Sequence, residues 1–282
     1  MPGFELIGKE EYKEIQDLFE NSGILFRHGF DAMRNDIYKV RDFEKKFSKK
    51  LGIADSLAVS SGTAALKVAL EAIGVGKGDE VITQAFTFVA TVESIVEAGA
   101  KPVIANIDET LNINPQDLEA KITDKTKAVI VVHMLGIPSD MSSVMKIAKK
   151  HNLKVIEDTA WGCGGTYGDQ YLGTIGDLGT FSFDFAKTIT TGEGGMVVAK
   201  DPLILEAAKA YHDHGHENNP SLPRWEDSRS RSGFNYRMTE MQGAVGIAQL
   251  DKLDQIIASH QKNKQAIIKK IKDLPISFRK KP

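Results

Sequence analysis

The chain has 282 residues, of which 41% are hydrophobic and 26% are charged, a composition typical of soluble globular proteins. This length suits one large domain, or one large domain with a small one. The net charge of −2 provides no broad attraction to nucleic acid or to acidic membranes, so we expect neither as a partner. Cys163 is the only cysteine, so no disulfide can form within the chain, which fits the reducing cytoplasm.

The N-terminal residues lack the basic stretch and following apolar stretch of a secretory signal peptide. The most apolar run, residues 128–137, is about half the length that a bilayer requires, and it contains His133. We therefore interpret this run as a core strand and predict a cytoplasmic protein without a membrane-spanning segment.

The pattern of apolar residues predicts an α/β fold. Residues 1–50 predict an arm and a helix, with a loop at residues 27–36. Beyond them, short apolar runs occur at residues 56–60, 80–84, 101–107, 127–135, 153–157, 179–183 and 194–199, and helical stretches at residues 63–74, 88–99, 115–122 and 141–152. Alternation of this kind indicates a mostly parallel central sheet with helices on both faces.

The last seventy residues have a different pattern. Residues 212–237 form a polar segment with several arginines, and a loop of this length in a compact protein is usually functional or disordered. Residues 238–271 predict one helix, and residues 276–282 predict the start of a new strand. We therefore expect a large domain with an N-terminal arm, residues 1–240, and the start of a small C-terminal domain, residues 241–282.

Two residues predict an aldehyde cofactor. The segment GTFSFDFAKTITTGEGG places Lys187 between an apolar strand and a glycine-rich turn, where burial would lower the pKa of its amine and fit it to form a Schiff base. Asp158 ends an earlier apolar run, where its carboxylate could pair with a pyridine nitrogen. Together they suggest pyridoxal 5′-phosphate (PLP). The alternatives are a surface lysine, which fits poorly beside phenylalanines and small residues, and a turn or capping aspartate.

The turn after the first apolar run predicts a phosphate site. Gly62 would let the backbone approach an anion, and Thr63 and Ala64 would present free amides at a helix N-terminus, where the dipole favours negative charge. Ser182, five residues before Lys187, could bind the phosphate or position the lysine. The alternative is an ordinary Ser/Thr cap at the head of the helix.

An aromatic side chain could complete this site. Phe88 follows the second apolar run, at the edge of a parallel sheet where ligands commonly bind, and could stack on a pyridine ring. The alternative places Phe86 and Phe88 in the core.

Three alternating histidines, His212, His214 and His216, raise the question of a metal site. On a strand they would share one face, but no cysteine partner or zinc-type spacing supports metal binding. We therefore predict that no metal binds, and that this segment contacts substrate or is solvated.

The segments SSGTAAL, FTFVAT, IEDTA, FSFDFAKTITTGEGG and GFNYRMTEMQGAVGIAQL, in this order, resemble the DegT-type sugar aminotransferases, which are PLP enzymes of fold type I. The resemblance spans residues 25–255, and the lysine segment is its most specific part. It implies that Lys187 is the Schiff-base lysine and Asp158 the partner of the pyridine nitrogen. The other implied cofactor contacts are Phe88 for the ring, Gly62, Thr63 and Ser182 for the phosphate, and Asn235 for the phosphate of a second subunit. It therefore also implies a homodimer with shared active sites.

The chain departs from this family pattern in two ways. Trp161 occupies a position where the family has His or Gln, so a hydrogen-bonding role is lost there, although the ring could still pack near the cofactor. The family also continues into most of a small C-terminal domain, of which this chain contains only the start.

A narrower resemblance concerns the substrate. The segments MPGFELIG, EDTAWGCGG and HGHENNP through SRSRSGFNYRMTEMQGAVG are similar to the transaminases that make 8-amino-3,8-dideoxy-manno-octulosonate (8-amino-Kdo), a lipopolysaccharide sugar. This implies L-glutamate as the amino donor and an 8-keto sugar acid as the acceptor. The candidate substrate contacts are Trp161, His214 and four arginines, Arg224, Arg229, Arg231 and Arg237. The arginines are candidates because arginine binds carboxylates through two hydrogen bonds.

Two other functions remain open. One is a PLP-dependent sugar dehydratase of the same fold, but family members of that kind have histidine in place of Lys187. The other is a catalytically silent regulatory or assembly protein that has kept the fold. DNA binding is disfavoured because the chain has no basic helix and no net positive charge.

Overall fold

The computed structural model describes residues 2–219 and 221–282, and a seven-stranded sheet forms its centre. The strands in chain order are β1 (Leu57–Val59), β2 (Glu80–Gln84), β3 (Lys101–Ala105), β4 (Thr126–Val132), β5 (Lys154–Asp158), β6 (Thr166–Tyr167), β7 (Gln170–Tyr171), β8 (Leu178–Ser182) and β9 (Gly195–Ala199). The central sheet has the order β1-β9-β8-β5-β4-β2-β3, and β6 and β7 form a separate small hairpin.

Most of the central sheet is parallel. β3, β2, β4, β5 and β8 run in one direction, whereas β9 is antiparallel to both of its neighbours, β8 and β1. Parallel neighbours require crossover connections, which the intervening helices provide. The predicted mostly parallel sheet is confirmed, and each of the seven predicted apolar runs overlaps one of its strands.

The helices are α1 (Lys9–Asn21), α2 (Lys39–Leu51), α3 (Gly62–Ala72), α4 (Val89–Glu97), α5 (Pro115–Ala120), α6 (Met141–His151), α7 (Pro202–Tyr211), α8 (Glu240–Asp251) and α9 (Leu253–Ile271). Their starts follow local rules. Asp201 caps α7 through the amide of Leu203, and Pro202 occupies the first helical position, where no amide hydrogen is needed. None of the helices in residues 2–219 and 221–282 is long and apolar enough to cross a membrane.

Helices cover both faces of the sheet, as predicted. On one face α3, α4 and α7 form an apolar core with the sheet, in which Val68 and Ile156 are fully buried. On the other face, Phe47 of α2 packs edge-on against Phe181 of β8, with ring centroids 5.0 Å apart. A third cluster buries Val144 of α6 beside β4. Burial of each such side chain stabilises the fold by about 1.5–3 kcal/mol.

The N-terminal region contains one more helix than predicted. Both α1 and α2 form, and the short Asp31–Arg34 turn lies between them. Lys39, at the start of α2, donates to Glu14 at 2.7 Å and to Asp17 at 2.6 Å, so ion pairs join α1 to the start of α2. The pairing explains the charged composition of this region, which by itself did not indicate how many helices it contains.

The C-terminal region differs from the prediction in two places. The single helix predicted over residues 238–271 is wrong, because the chain bends at Lys252 between α8 and α9. Lys252 donates to Glu11 and to the carbonyl of Leu6, both at 2.7 Å, which holds the bend against the N-terminal arm. Residues 276–282 form no strand; Arg279 among them donates instead to the carbonyl of Met134 at 2.5 Å.

Helix α8 packs closely against the helices that precede the sheet. Buried Glu240 accepts a hydrogen bond from the amide of Lys39 at 2.5 Å. Gly243 lies so close to α2 that an added Cβ would be 2.6 Å from the nitrogen of Val40. Residues 240–251 therefore share the core of the sheet domain, while the predicted division of the chain at residue 240 stays a prediction.

Candidate active site

Asp158 is the last residue of β5 and lies at the carboxyl edge of the parallel strands. Its side chain is buried; Oδ2 accepts from the Thr91 hydroxyl at 2.9 Å, and Oδ1 accepts from the amide of Ala160 at 3.2 Å. Burial raises the pKa of this carboxyl above its usual value, although both hydrogen bonds oppose the shift. The Ala160 contact is the turn role named as an alternative. The remaining lone pairs can accept a further donor from the adjoining cavity.

Lys187 lies in the turn after β8, beside the end of β5. Its amide donates to the carbonyl of Asp184 at 3.1 Å, and its carbonyl accepts from Gly3 at 3.0 Å, so the backbone is held on both sides. The side chain is half-buried, which argues against a surface lysine. Burial lowers the pKa of the amine below its usual value, while the nearby carboxylates of Asp158 and Asp184 act in the opposite direction.

The start of α3 is packed directly on β8. A Cβ added to Gly62 would lie 2.6 Å from the Cβ of Ser182, so only glycine permits this approach. Ser61 caps the helix, because its hydroxyl accepts from the amide of Ala64 at 3.0 Å. The prediction of a free Ala64 amide is therefore wrong. The amides of Gly62 and Thr63, which precede the first intrahelical hydrogen bonds, are the ones available to an anion.

The aromatic residue predicted to stack on a ring is not part of the core. Phe88 immediately precedes α4, and 64% of its surface is exposed, which excludes the core alternative for this residue. Next to it, the hydroxyl of Thr87 is 2.8 Å from that of Thr91, the residue that donates to Asp158. Phe88 thus projects beside a short chain of polar groups that ends at the buried carboxylate.

These side chains surround one cavity of about 240 Å³. The residues predicted from the sequence that line it are Gly62, Thr63, Phe88, Asp158, Trp161, Ser182 and Lys187. The cavity lies where β5 and β8 end and α3 begins, the place at which parallel α/β sheets commonly bind ligands. The six other predicted site residues do not line it: Asn235, His214, Arg224, Arg229, Arg231 and Arg237.

The family model described as the DegT/DnrJ/EryC1/StrS aminotransferase family matches residues 31–282. The chain belongs to this family. It is 43% identical over 220 residues to a GDP-perosamine synthase of Escherichia coli O157:H7, which covers 78% of this chain and 59% of that protein. It is 40% identical over 258 residues to the spore coat polysaccharide biosynthesis protein SpsC of Bacillus subtilis, covering 88% and 63%. The chain thus spans about three fifths of the length of these relatives.

Two solved structures share the fold. An aminotransferase from Psychrobacter cryohalolentis superposes with a TM-score of 0.86 at 35% identity, covering 94% of this chain and 67% of that one. The E. coli GDP-4-keto-6-deoxy-D-mannose-3-dehydratase, determined with bound hydrated PLP, superposes with a TM-score of 0.87 at 29% identity, covering 98% and 74%. The predicted α/β fold of the PLP aminotransferases is thereby confirmed.

Pyridoxal 5′-phosphate is the cofactor of this DegT family site, and the residues present fit it. The cavity offers an amine for the aldehyde, a buried carboxylate for the ring nitrogen, and amides with a serine hydroxyl for the phosphate. Asp158 is the most telling of these groups. Its burial makes the ionised form unfavourable until a cationic partner arrives, and a protonated pyridine supplies that partner.

We expect an Asp158→Asn variant to bind PLP but to react with L-glutamate about 10²–10³-fold more slowly, because a neutral amide cannot stabilise a protonated ring nitrogen. The cofactor-free variant should unfold at a temperature no lower than that of the wild type, since a carboxyl whose pKa is raised in the folded state destabilises it at neutral pH. Stopped-flow absorbance and thermal denaturation check the two results. An unchanged rate would exclude the assigned role.

Gly62→Ala should destabilise the chain by about 1–3 kcal/mol and weaken PLP binding, because the new methyl group forces α3 away from β8. The double variant Gly62→Ala/Ser182→Gly is the matched control. It removes the side-chain atoms that the methyl group would meet, so it should recover part of the stability. Chemical denaturation of the cofactor-free proteins measures the effect, and equal losses in the single and double variants would refute this explanation.

Behind Asp158 lies a buried pair that the sequence analysis missed. His133 and Glu157 are both fully buried, with 2.8 Å between Nε2 and Oε2. The sequence pattern predicts only a core strand at His133. The amide of Ser139 donates to His133 Nδ1 at 3.1 Å, so the ring proton resides on Nε2 and is donated to Glu157. Glu157 also accepts from the backbone amides of Gly173, Ile175 and Gly176. The only available signal was two ionisable residues within apolar runs.

This pair stiffens the strand end that carries Asp158. Burial alone would raise the pKa of Glu157, but the hydrogen bonds from His133 and from the backbone amides keep it below its usual value. The ionised carboxylate therefore ties the turn at residues 173–176 to β5. We assign His133 and Glu157 a structural role, because neither lines the cavity.

The polar segment of residues 212–237 is organised by Asp213, another residue that the sequence analysis did not single out. Its carboxylate is fully buried and accepts from the two terminal guanidinium nitrogens of Arg224, Nη2 at 2.5 Å and Nη1 at 2.7 Å, and from Arg237 at 2.5 Å. His28 Nε2 lies 3.2 Å away. Arg229 instead contacts His216, with 3.1 Å between its guanidinium Nη2 and the ring Nε2. Three of the four arginines predicted to meet an acidic sugar thus have partners within the chain.

The remaining predicted residues of this segment lie on its surface. Asn235, Arg231 and His214 are exposed. Asn235 pairs with Asp213 through a backbone bridge, and its side chain accepts from the amide of Arg237 at 3.3 Å. Its predicted contact with the phosphate of a second subunit stays a prediction, as do the substrate contacts of the others.

The three alternating histidines do not converge. His212 is buried and donates from Nδ1 to the carbonyl of Lys209, whereas His216 Nδ1 lies 3.0 Å from Asp227. The backbone of His214 has a positive φ of 55°, which breaks the strand geometry that would place all three on one face. In the described part of the chain, no group of three or more His, Cys, Asp or Glu side chains is arranged to hold a metal.

Proposed function

We propose that this chain is a PLP-dependent aminotransferase that moves the amino group of L-glutamate to a keto sugar. The observation that carries the proposal is the cavity in which the Lys187 amine, the Asp158 carboxylate and the start of α3 meet. PLP, when bound, withdraws electrons from the substrate carbon that loses a proton. The residues of the chain provide the binding, the orientation and the proton transfer.

Lys187 is the group that moves the proton. Its amine is half-buried and its pKa is lowered, so a larger fraction is unprotonated near neutral pH than for an exposed lysine. An amine of this kind can take a proton at Nζ from one carbon and return it to another. In the first half-reaction glutamate leaves as 2-oxoglutarate, and in the second the keto sugar takes the amino group.

The other residues hold the cofactor in place. Asp158 would accept a hydrogen bond from the ring nitrogen, Phe88 would cover a ring face, and the amides of Gly62 and Thr63 would bind the phosphate beside Ser182. Asp158 and Ser182 end β5 and β8, Gly62 and Thr63 start α3, and Phe88 immediately precedes α4. Held in this way, the cofactor would present the reacting carbon to Lys187 Nζ, and such orientation contributes much of an enzymatic rate.

We propose 8-dehydro-Kdo as the acceptor, which would give 8-amino-Kdo for lipopolysaccharide. The support is the sequence resemblance in the N-terminal segment, around Trp161 and over residues 214–246. The relatives point to a second class of acceptor, because one of them is a GDP-perosamine synthase and a structural neighbour is a GDP-4-keto-6-deoxy-D-mannose-3-dehydratase. A nucleotide-linked keto sugar is therefore the competing acceptor in the assay.

We also propose that two copies of the chain share their active sites. Asn235 is exposed on the segment that Asp213 anchors and is absent from the cavity of its own chain. It is therefore placed where a second copy could use it. An Asn235→Ala variant that retains dimerisation, measured by analytical ultracentrifugation, but binds PLP more weakly would support this arrangement; unchanged PLP affinity would oppose it.

Two alternative functions are a sugar dehydratase and a silent regulatory protein. The identity of residue 187 distinguishes the first from an aminotransferase, and an absorbance assay distinguishes the second. The dehydratase alternative is supported by the structural similarity to the GDP-4-keto-6-deoxy-D-mannose-3-dehydratase. However, Lys187 occupies the position at which such enzymes have histidine. A silent regulatory role has a relative in its favour, the pleiotropic regulatory protein of Geobacillus stearothermophilus, which is 38% identical over 239 residues. A working lysine site colours the protein yellow in the presence of PLP, whereas a silent one does not.

The deciding experiment is an absorbance scan of the PLP-treated protein before and after addition of L-glutamate, with D-glutamate as the control. We expect a yellow band that only the L-enantiomer bleaches. Turnover is then measured with 8-dehydro-Kdo and with GDP-4-keto-6-deoxy-D-mannose. A protein that stays colourless, or a band indifferent to L-glutamate, would overturn the proposed aminotransferase. Preference for the nucleotide sugar would overturn the Kdo assignment alone.

A further inference from the structure

The Lys187 amine has one close partner, and it is an aromatic ring. The Nζ atom lies 3.8 Å from the centroid of the Trp161 ring. Over residues 2–219 and 221–282, no carboxylate oxygen comes within the 4.0 Å ion-pair distance of this Nζ, and it forms no hydrogen bond. A half-buried ammonium without a carboxylate partner gains most from the electron-rich face of an indole, the strongest of the aromatic rings for this interaction.

The ring is held firmly by its surroundings. The amide of Thr159 donates to Thr180 of β8 at 2.8 Å, and that of Gly162 donates back to Thr159 at 2.9 Å, which closes the turn that carries Trp161. An added Cβ on Gly136 would lie 3.0 Å from the Trp161 carbonyl, so this segment packs tightly against the turn. The indole also packs against the apolar core formed with α3. Of the two partners, the lysine has the longer and more flexible side chain.

Other charged groups face the amine from each side. Asp158 approaches from β5, Asp184 from the turn of the lysine itself, and Glu193 from the turn before β9. His133 stands behind Asp158 and is committed to Glu157. Within the described residues, none of these groups forms an ion pair with Lys187. The indole face of Trp161 is therefore the close contact that fixes the position of Nζ.

We infer that Trp161 is a positioning residue whose indole face holds the Lys187 ammonium inside the cavity whenever the lysine is not bonded to the cofactor. Its catalytic consequence rests on the proposed function: a lysine kept over Trp161 stays within reach of the carbon whose proton it moves. Because the resembled family has His or Gln at this position, the device belongs to this chain rather than to the family pattern.

The test measures Lys187 in the cofactor-free protein by competitive acetylation. Trace acetic anhydride is applied across pH 6–11, and the modified lysine is quantified by mass spectrometry, so that the midpoint of the profile gives its pKa. In Trp161→Leu we expect the midpoint to fall by about half to one pH unit, a three- to tenfold larger unprotonated fraction at fixed pH, because the ring no longer stabilises the ammonium. Trp161→Phe, which keeps a weaker aromatic face, should shift it less.

The matched control is Trp225→Phe. Trp225 is the other tryptophan of the chain and is 84% exposed, so its replacement should leave the Lys187 midpoint unchanged. Circular dichroism verifies that each variant is folded, and the Phe variant carries the test if the Leu variant is not. Equal midpoints in the wild type and the folded Trp161 variants would overturn the inference. A shifted midpoint in a protein that never turns yellow with PLP would instead refute the proposed function while leaving this contact intact.

Discussion

A Lys187→Ala variant is expected to stay colourless with PLP and to lose transamination by at least about 10⁴-fold, the upper range for removal of a general acid–base group. The reason is that, among the residues that the structure describes, Lys187 is the only lysine lining the cavity. The nearest alternative along α3, Lys67, is already held by Glu71 at 2.7 Å and by the carbonyl of Glu97 at 2.7 Å. Absorbance spectra and single-turnover assays with L-glutamate measure both effects.

Two further variants separate chemistry from charge. Lys187→Arg keeps a positive charge over Trp161, but a guanidinium cannot be deprotonated in a protein, so this variant should be as inactive as the alanine variant. Lys101→Ala is the matched surface control; Lys101 lies on the edge strand β3, is exposed, forms an ion pair with Glu80 and should be dispensable. Added methylamine should partly restore proton transfer to Lys187→Ala. If L-glutamate bleached the Lys187→Ala variant as fast as the wild type, the assignment of Lys187 would be contradicted.

The parts of the site that could be predicted are those that follow from local sequence and sheet topology. Asp158 directly follows an apolar run and Lys187 lies four residues after another, and the carboxyl ends of parallel strands meet at one edge of a sheet. Once the fold was predicted as parallel α/β, the convergence of these residues with the Gly62 turn followed. The glycine itself is explained by a close approach to Ser182, which only the folded chain displays.

The parts that could not be predicted depend on contacts between distant segments. The partners of Asp213 come from residue 28 on one side and from Arg224 and Arg237 on the other, and no spacing rule links them. The break at Lys252 arises from its contact with Glu11, near the other end of the chain. The prediction of a free Ala64 amide was wrong for a simpler reason. A capping side chain and a bound anion compete for the same backbone amides at a helix start, and here Ser61 takes the amide of Ala64.

Asp213→Ala is expected to lower the free energy of unfolding by about 3–5 kcal/mol, the cost of removing one partner from a buried ion pair. The carboxylate is fully buried and faces Arg224, Arg237 and His28. Its loss would leave three cationic or basic groups without their anion. Asp251→Ala is the matched control: this exposed carboxylate pairs with Lys46 at 3.0 Å, so less than about 1 kcal/mol is expected from chemical denaturation.

The pH dependence distinguishes a lost charge from a lost packing contact. Burial would raise the pKa of Asp213, but the nearby His28 ring and the hydrogen-bonded Arg224 guanidinium hold it far below its usual value. A carboxyl with a depressed pKa stabilises the fold above its unfolded-state pKa, and this contribution disappears as the pH falls toward its folded-state pKa. The gap between wild type and Asp213→Ala should therefore be constant from pH 6 to 8 and narrow below about pH 4. A gap that stays constant in acid would mean that packing, rather than the charge of Asp213, holds the segment that carries Asn235.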